Sequence, residues 1–170
     1  MKSMLLALAL SAFSAAAFGQ AAPATPAPAW YPFHPSSTAD PGEIGMQAWS
    51  AEPAGAHGRI TREGEKLFYD GAPIHLWGLN LCYGACVPDH ALADKRAAFY
   101  AKYGINAVRL HKFTESDYAA GDSAVDFSAD GIDRMDYQVG QFQKHGIYCT
   151  LSVQFGPPML GPADRKYVPW

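Results

Sequence analysis

The sequence predicts an α/β fold: a partial (β/α)8 TIM barrel of about three βα units, preceded by a short β-hairpin. Three observations carry this expectation. Apolar, strand-like runs alternate with amphipathic, helix-like stretches, the order that builds a parallel sheet. A junction repeats: Lys102-Tyr103-Gly104-Ile105-Asn106 and Lys144-His145-Gly146-Ile147-Tyr148 share one grammar of helix end, Gly, Ile and strand, and lie about 42 residues apart. Finally, the turn after the first long strand, Asn80-Leu81-Cys82-Tyr83-Gly84-Ala85-Cys86, lacks the GxGxxG of a doubly wound nucleotide binder, which leaves the barrel as the favoured way to use such units.

The elements follow in chain order. Lys2, the apolar run Met4 to Phe13 and the small residues up to Gly19 have the layout of a secretory signal peptide, assigned to residues 1–19. Residues 20–41 alternate Ala and Pro, cannot build a core and are read as an extended linker. The folded part, residues 42–170, opens with strand candidates Arg59 to Thr61 and Lys66 to Tyr69 around Glu63-Gly64, then the tight turn Asp70-Gly71. Ile74 to Leu81 is a nearly continuous apolar run, as in a strand covered on both faces. Asp89 caps a helix over about His90 to Tyr103, with Leu92, Phe99 and Tyr103 on its apolar side, and Gly104 stops it. Ile105 to His111 is the next buried strand. A long loop, Lys112 to Ala129, precedes a helix from Gly131 to His145, capped by Asp130 and striped with Ile132, Met135, Val139 and Phe142. Ile147 to Val153 is the last strand. A complete barrel takes about 250 residues. Roughly 130 follow the linker, so the expectation is the N-terminal portion of a barrel, truncated before its later strands.

Composition narrows the function. A formal net charge of −3 and the absence of any Lys/Arg run argue against a nucleic-acid partner. Apart from the signal, no segment is long and apolar enough to cross a membrane, so the mature chain is expected to be secreted or periplasmic. Cys82, Cys86 and Cys149 are an odd count; Cys82 and Cys86 are close enough to pair in an oxidising compartment, and Cys149 reads as core. No second pair of Cys or His has zinc-ligand spacing, so no metal and no cofactor is expected.

In a barrel, chemistry gathers at the C-terminal ends of strands. Those ends are Asn80, then Arg109 and His111, then Ser152 and Gln154. The Arg109 fork matches a carboxylate and could hold a catalytic Glu, or it is a structural partner of a neighbouring acid. His111 is a candidate to hydrogen-bond a substrate hydroxyl or a catalytic carboxylate, or a loop-facing or packed His, and Asn80 for a substrate donor or a turn cap. Trp77 is a candidate sugar platform or plain core. Asp117, Asp122 and Asp126 read as solvated loop acids, with a calcium site as the alternative. Glycoside hydrolysis needs two carboxylates about 5 Å apart or about 6.5–9.5 Å apart. Glu115 and Asp117 lie just past the second strand, but nothing marks either as acid or nucleophile, so no catalytic residue is assigned in this chain.

Phe68-Tyr69-Asp70-Gly71-Ala72-Pro73-Ile74-His75-Leu76-Trp77-Gly78-Leu79-Asn80 resembles the "F-x-x-G-x-P-I-x-x-x-G-x-N" opening of cellulase-like enzymes in glycoside hydrolase family 5 and its clan. Tyr103 to His111 resembles the family's second strand, "G-x-N-x-V-R", and Gly146 to Leu151 its third. The resemblance spans about residues 58–155. It implies a (β/α)8 barrel that hydrolyses a β-linked poly- or oligosaccharide by retaining double displacement, with two glutamates on strands outside this chain. It assigns Arg109 as the supporting arginine beneath the nucleophile. Where many members read "D-x-H" after the third strand, this chain reads Ser152-Val153-Gln154, so the usual endoglucanase subsite does not carry over. The competing expectations are a non-catalytic, degenerate barrel piece that binds carbohydrate, and a complete small α/β domain for another ligand.

Overall fold

The computed structural model describes residues 34–115, 123–152 and 160–168. The chain divides into two compact units, Met1–Pro35 and Ser36–Trp170, and all elements named here belong to the second. The signal segment and the linker up to residue 33 lie outside the described residues, as do Asp117, Asp122 and Gln154.

Three short strands, β1 (Thr61–Glu63), β2 (Lys66–Tyr69) and β3 (Ala72–Pro73), form an antiparallel meander. The expected hairpin therefore gains a third strand. Its register sets Thr61 opposite Phe68 and Phe68 opposite Pro73. Pro73, which cannot donate a ladder hydrogen bond, ends an edge strand, where its missing N–H is tolerated.

A second sheet is parallel, in the order β4 (Gly78–Cys82), β5 (Ala107–His111), β6 (Tyr148–Ser152). Helices α1 (His90–Lys102) and α2 (Ala129–Lys144) are the crossovers. The strand–helix–strand–helix–strand order read from the sequence is thus present. The barrel is not. Among the described residues there is one open three-stranded parallel sheet beside one three-stranded antiparallel sheet, and nothing arranges the βα units around an axis. The physical reason is the strand count: closure needs a tilted, staggered ring of about eight strands, and three leave β4 and β6 each with one paired edge. The fold is a small α/β structure.

Both helices pack on one face of the parallel sheet. Leu81, Val108 and Leu110 point to that face and form a single buried cluster with Ala97 of α1 and Met135 and Phe142 of α2. The α2 stripe is as the periodicity predicts, except that Ile132 stays 39% exposed. The apolar side expected for α1 is wrong. Leu92 is 45% exposed, and the buried apolar positions are Ala93, Ala97 and Ala101, an i, i+4, i+8 row of small side chains that lets the helix lie close. Asp89 caps α1 as expected, its Oδ1 accepting from Leu92 N–H at 2.7 Å. The cap of α2 is Ser128, not Asp130; Ser128 Oγ accepts from Gly131 N–H at 2.9 Å, while Asp130 sits in the first turn and pairs with Arg134.

The repeated Gly has a common cause. Gly104 and Gly146 follow the two helices with φ of +68° and +71°, the left-handed stop that glycine favours. Both also lie under the segment that precedes the meander. A Cβ at Gly104 would come within 2.9 Å of Met46 Sδ, and one at Gly146 within 2.6 Å of the Ser50 carbonyl. That segment is sewn to the helix ends by Met46 N–H to Lys102 C=O and Ala54 N–H to Gln143 C=O. Lys102, 3% exposed, adds a tie of its own, donating from Nζ to the Thr38 carbonyl at 3.0 Å.

Candidate functional site

The face of the parallel sheet turned away from the helices is polar. Successive strand residues alternate faces, and the register builds three rungs there. The first is Gly78–Ala107–Tyr148, the second Asn80–Arg109–Thr150, the third Cys82–His111–Ser152. The first lies toward the meander, where Tyr69 meets the Tyr148 ring edge-on at 5.8 Å. The second is exposed along its whole length. The third closes the C-terminal ends of the strands.

Arg109, His111 and Ser152 make a triangle. Arg109 Nη2 donates to Ser152 Oγ at 2.8 Å and lies 3.2 Å from His111 Nδ1, which is 3.0 Å from Ser152 Oγ. A guanidinium only donates, so Nδ1 serves as the acceptor and the ring proton sits on Nε2. Ser152 Oγ accepts from Arg109, and the single Nδ1 lone pair is shared between the Ser152 hydroxyl and the guanidinium. His111 is 8% exposed and fixed; the guanidinium is tethered by one nitrogen only. No carboxylate among the described residues contacts Arg109, so the structural-acid role weighed for it has no partner among them.

The strand ends are held in unusual backbone. Tyr83 and Lys112, the residues after Cys82 and His111, have φ of +54° and +55°. Non-glycine residues there carry strain of order 1–2 kcal/mol each, a cost that concentrates at functional sites. Lys112 N–H donates to the Ser152 carbonyl and Lys112 Nζ to Tyr83 Oη, both at 3.0 Å, so one residue ties all three strand ends.

Of the residues expected to contact substrate, Asn80 and His111 therefore share this face with Arg109. Asn80 is no turn cap; its Nδ2 donates to Cys82 Sγ at 3.2 Å. Trp77 is not brought to them. It precedes β4 at the opposite end, 70% exposed, with its backbone N–H donating to Asn106 Oδ1 at 2.7 Å. A five-residue strand puts it about 16 Å from the C-terminal ends. Sequence reasoning missed Thr150, Tyr83 and Lys112. Thr150 was findable as the polar member of the alternating run Tyr148 to Ser152; the backbone strain had no signal in residue type.

The other titratable groups serve structure. Cys82, Cys86 and Cys149 are all free thiols, so the weighed Cys82–Cys86 bond is not formed. Burial pushes the Cys86 and Cys149 thiols up to about 11, which keeps them protonated and unreactive. Asp126, a candidate calcium ligand, instead accepts from Lys166 Nζ at 2.7 Å and Tyr167 Oη at 2.9 Å. No group of His, Cys, Asp and Glu among the described residues could hold a metal ion, and no helix there is long and apolar enough to cross a membrane.

The chain matches no protein-family model, and neither the curated proteins nor the solved structures give a match.

Proposed function

We propose that this chain supplies a substrate-holding face of a secreted glycoside hydrolase acting on a β-linked poly- or oligosaccharide by a retaining mechanism, with the two catalytic glutamates outside this chain. The observation that supports it is the polar face of the parallel sheet. Asn80, Arg109 and Thr150 stand in one exposed rung, and the Arg109–His111–Ser152 triangle continues it to the carboxyl ends of the strands. Ligands of open parallel sheets bind beyond those ends. Polar side chains in a row, backed by a rigid apolar layer, suit a ligand that is itself a row of hydroxyls. The resemblance of residues 58–155 to cellulase-like enzymes supports the substrate class, though not the barrel, which the observed sheets contradict.

A carbohydrate-binding role without hydrolysis is the second reading. It is favoured by the absence of any carboxylate contact to Arg109 among the described residues. One experiment addresses both. The purified chain is titrated with β-linked tetrasaccharides by calorimetry and assayed for release of reducing ends. The expected outcome is binding without release, with affinity lowered about tenfold or more by His111→Ala, in keeping with loss of a desolvated hydrogen-bonding group. Absence of binding to every glycan would overturn both readings. Release of reducing ends would show that carboxylates within this chain perform the chemistry.

A further inference from the structure

We infer that a second sugar site lies at the opposite end of the parallel sheet: a hollow of about 330 Å³ beside Trp49 that takes one neutral pyranose ring of a β-linked glycan. The inference takes its ligand class from the glycan reading above, but Asn80, Arg109 and His111 have no part in it. The hollow is lined by Trp49, Glu52, Tyr69, Asn106 and Tyr148. Asn106 precedes β5 and Tyr148 opens β6, so five-residue strands separate it from the carboxyl ends by about 16 Å. Trp49 is 78% exposed, more than any other large apolar residue among the described ones. Its backbone is nonetheless pinned. Met46 N–H donates to Lys102 C=O at 3.0 Å and Trp49 N–H to Met46 C=O at 2.9 Å. A Cβ at Gly104 would come within 3.5 Å of Trp49 Cε3, so the indole edge rests near the Gly104 backbone while most of the ring meets solvent. An exposed indole on fixed backbone loses little freedom when a ligand covers it.

The lining selects the ligand. A pyranose with equatorial substituents has apolar C–H faces and a rim of hydroxyls that both donate and accept. Trp49 offers an apolar face, and Tyr69, edge-on to Tyr148 at 5.8 Å, places two hydroxyls that can also do both. Glu52 adds an acceptor. Its Oε2 bonds His57 Nε2 at 2.5 Å, and its Oε1 has no hydrogen-bond partner among the described residues. Glu52 raises His57 above its ordinary value of 6.5, first through that hydrogen bond, which favours the protonated imidazole that offsets the carboxylate. No Lys or Arg lines the hollow, so nothing there would hold an anionic sugar or an anionic lipid surface. The volume sits at the small end of the range for ligand pockets, about 300–1,000 Å³, which suits one ring.

The test follows the indole itself. Cellotetraose, whose ring substituents are all equatorial, is titrated into the full chain, and the Trp49 Nε1–H resonance, identified by its loss in Trp49→Phe, is read by NMR. The expected result is a saturating shift of that resonance, in the parent and equally in His111→Ala, whose residual binding is then the hollow. In the His111→Ala background, Trp49→Ala should weaken the remaining affinity about tenfold or more, and Glu52→Gln should weaken it several-fold by removing a charged acceptor. Cellotetraose bound by calorimetry with Trp49 unmoved would overturn this second site and leave the glycan reading standing. A Trp49 shift that vanishes in His111→Ala would overturn it too, since the hollow would then hold no sugar of its own. Binding of cellotetraose nowhere would overturn both. Movement of the Trp49 resonance with protein concentration alone would give the hollow to a second copy of the chain and overturn the sugar. Should a variant not fold, the titration of the unaltered chain still decides whether sugar reaches Trp49.

Discussion

Asp164 is fully buried and receives Ser123 Oγ at 2.5 Å, Ala124 N–H at 2.9 Å and Gly161 N–H at 2.8 Å. These donors, the Ser123 hydroxyl foremost, hold its carboxyl below the ordinary value of 3.8. A carboxyl whose folded value is depressed contributes stability that is present above the unfolded value and lost as pH falls through the folded one. The window is therefore acid, below about pH 4. Asp164→Asn should lower the Tm at pH 7, and its gap to the parent should narrow as both are acidified to about pH 3. Thermal melts across that range check this; a gap independent of pH would show that shape, not charge, matters at this position. Little in the sequence marks Asp164, because Ser123 and Ala124 arrive from about 40 residues away in chain order and only Gly161 is local. Arg109 and His111 were legible for the opposite reason: a cation and an imidazole inside an apolar strand stand out before any contact is known. Their shared partner Ser152 needed the register of β5 on β6 to bring it within 2.8 Å and 3.0 Å of them.

At the level of elements, α1 separates what periodicity reports from what packing selects. A stripe of large apolar residues was the visible signal, and it pointed to Leu92, Phe99 and Tyr103. The structure instead buries Ala93, Ala97 and Ala101, with Ala93 and Ala97 at 0% exposure. Alanine is uninformative to a hydrophobic pattern, since it is common on every helix face. Against a sheet it is decisive, because it sets how close the helix backbone can come. Ala97→Leu should therefore force the helix away from Leu81, Val108 and Leu110 and cost about 1–3 kcal/mol. Leu92→Ala, at a position 45% exposed, should stay within about 0.5 kcal/mol. Urea unfolding of both variants tests the assignment, and the reverse ranking would return the buried face to Leu92. In α2 the same method succeeded, since Met135 and Phe142 carry the burial themselves and Phe142 is wholly enclosed. The first parallel strand was read as covered on both faces. It is covered on one, because only Leu79 and Leu81 of β4 face the helices, while Gly78, Asn80 and Cys82 face away.

For the whole molecule, the local grammar was legible and its global closure was not. Each helix stop, each parallel strand and their order can be read from a window of a few residues, whereas β1 starts two residues later than expected and β3, only Ala72–Pro73, gave no signal. Whether a row of parallel strands closes depends on how many there are and how they tilt, and no window contains that. Three strands leave β4 and β6 each bonded to one neighbour among the described residues. A parallel sheet is ordinarily covered on both faces, and unpaired edges invite pairing with another chain. On β6, Leu151 is 55% exposed beside the open edge. Carrying no charge, it does nothing to deter a second strand. The chain alone should therefore self-associate as its concentration rises, and Leu151→Lys, which sets a charge against an incoming strand, should shift it toward monomer. Sedimentation velocity over about two decades of concentration is the measurement. A parent that stays monomeric and unfolds cooperatively would overturn the expectation. Association unchanged by Leu151→Lys would move the contact from β6 to the β4 edge or the polar face.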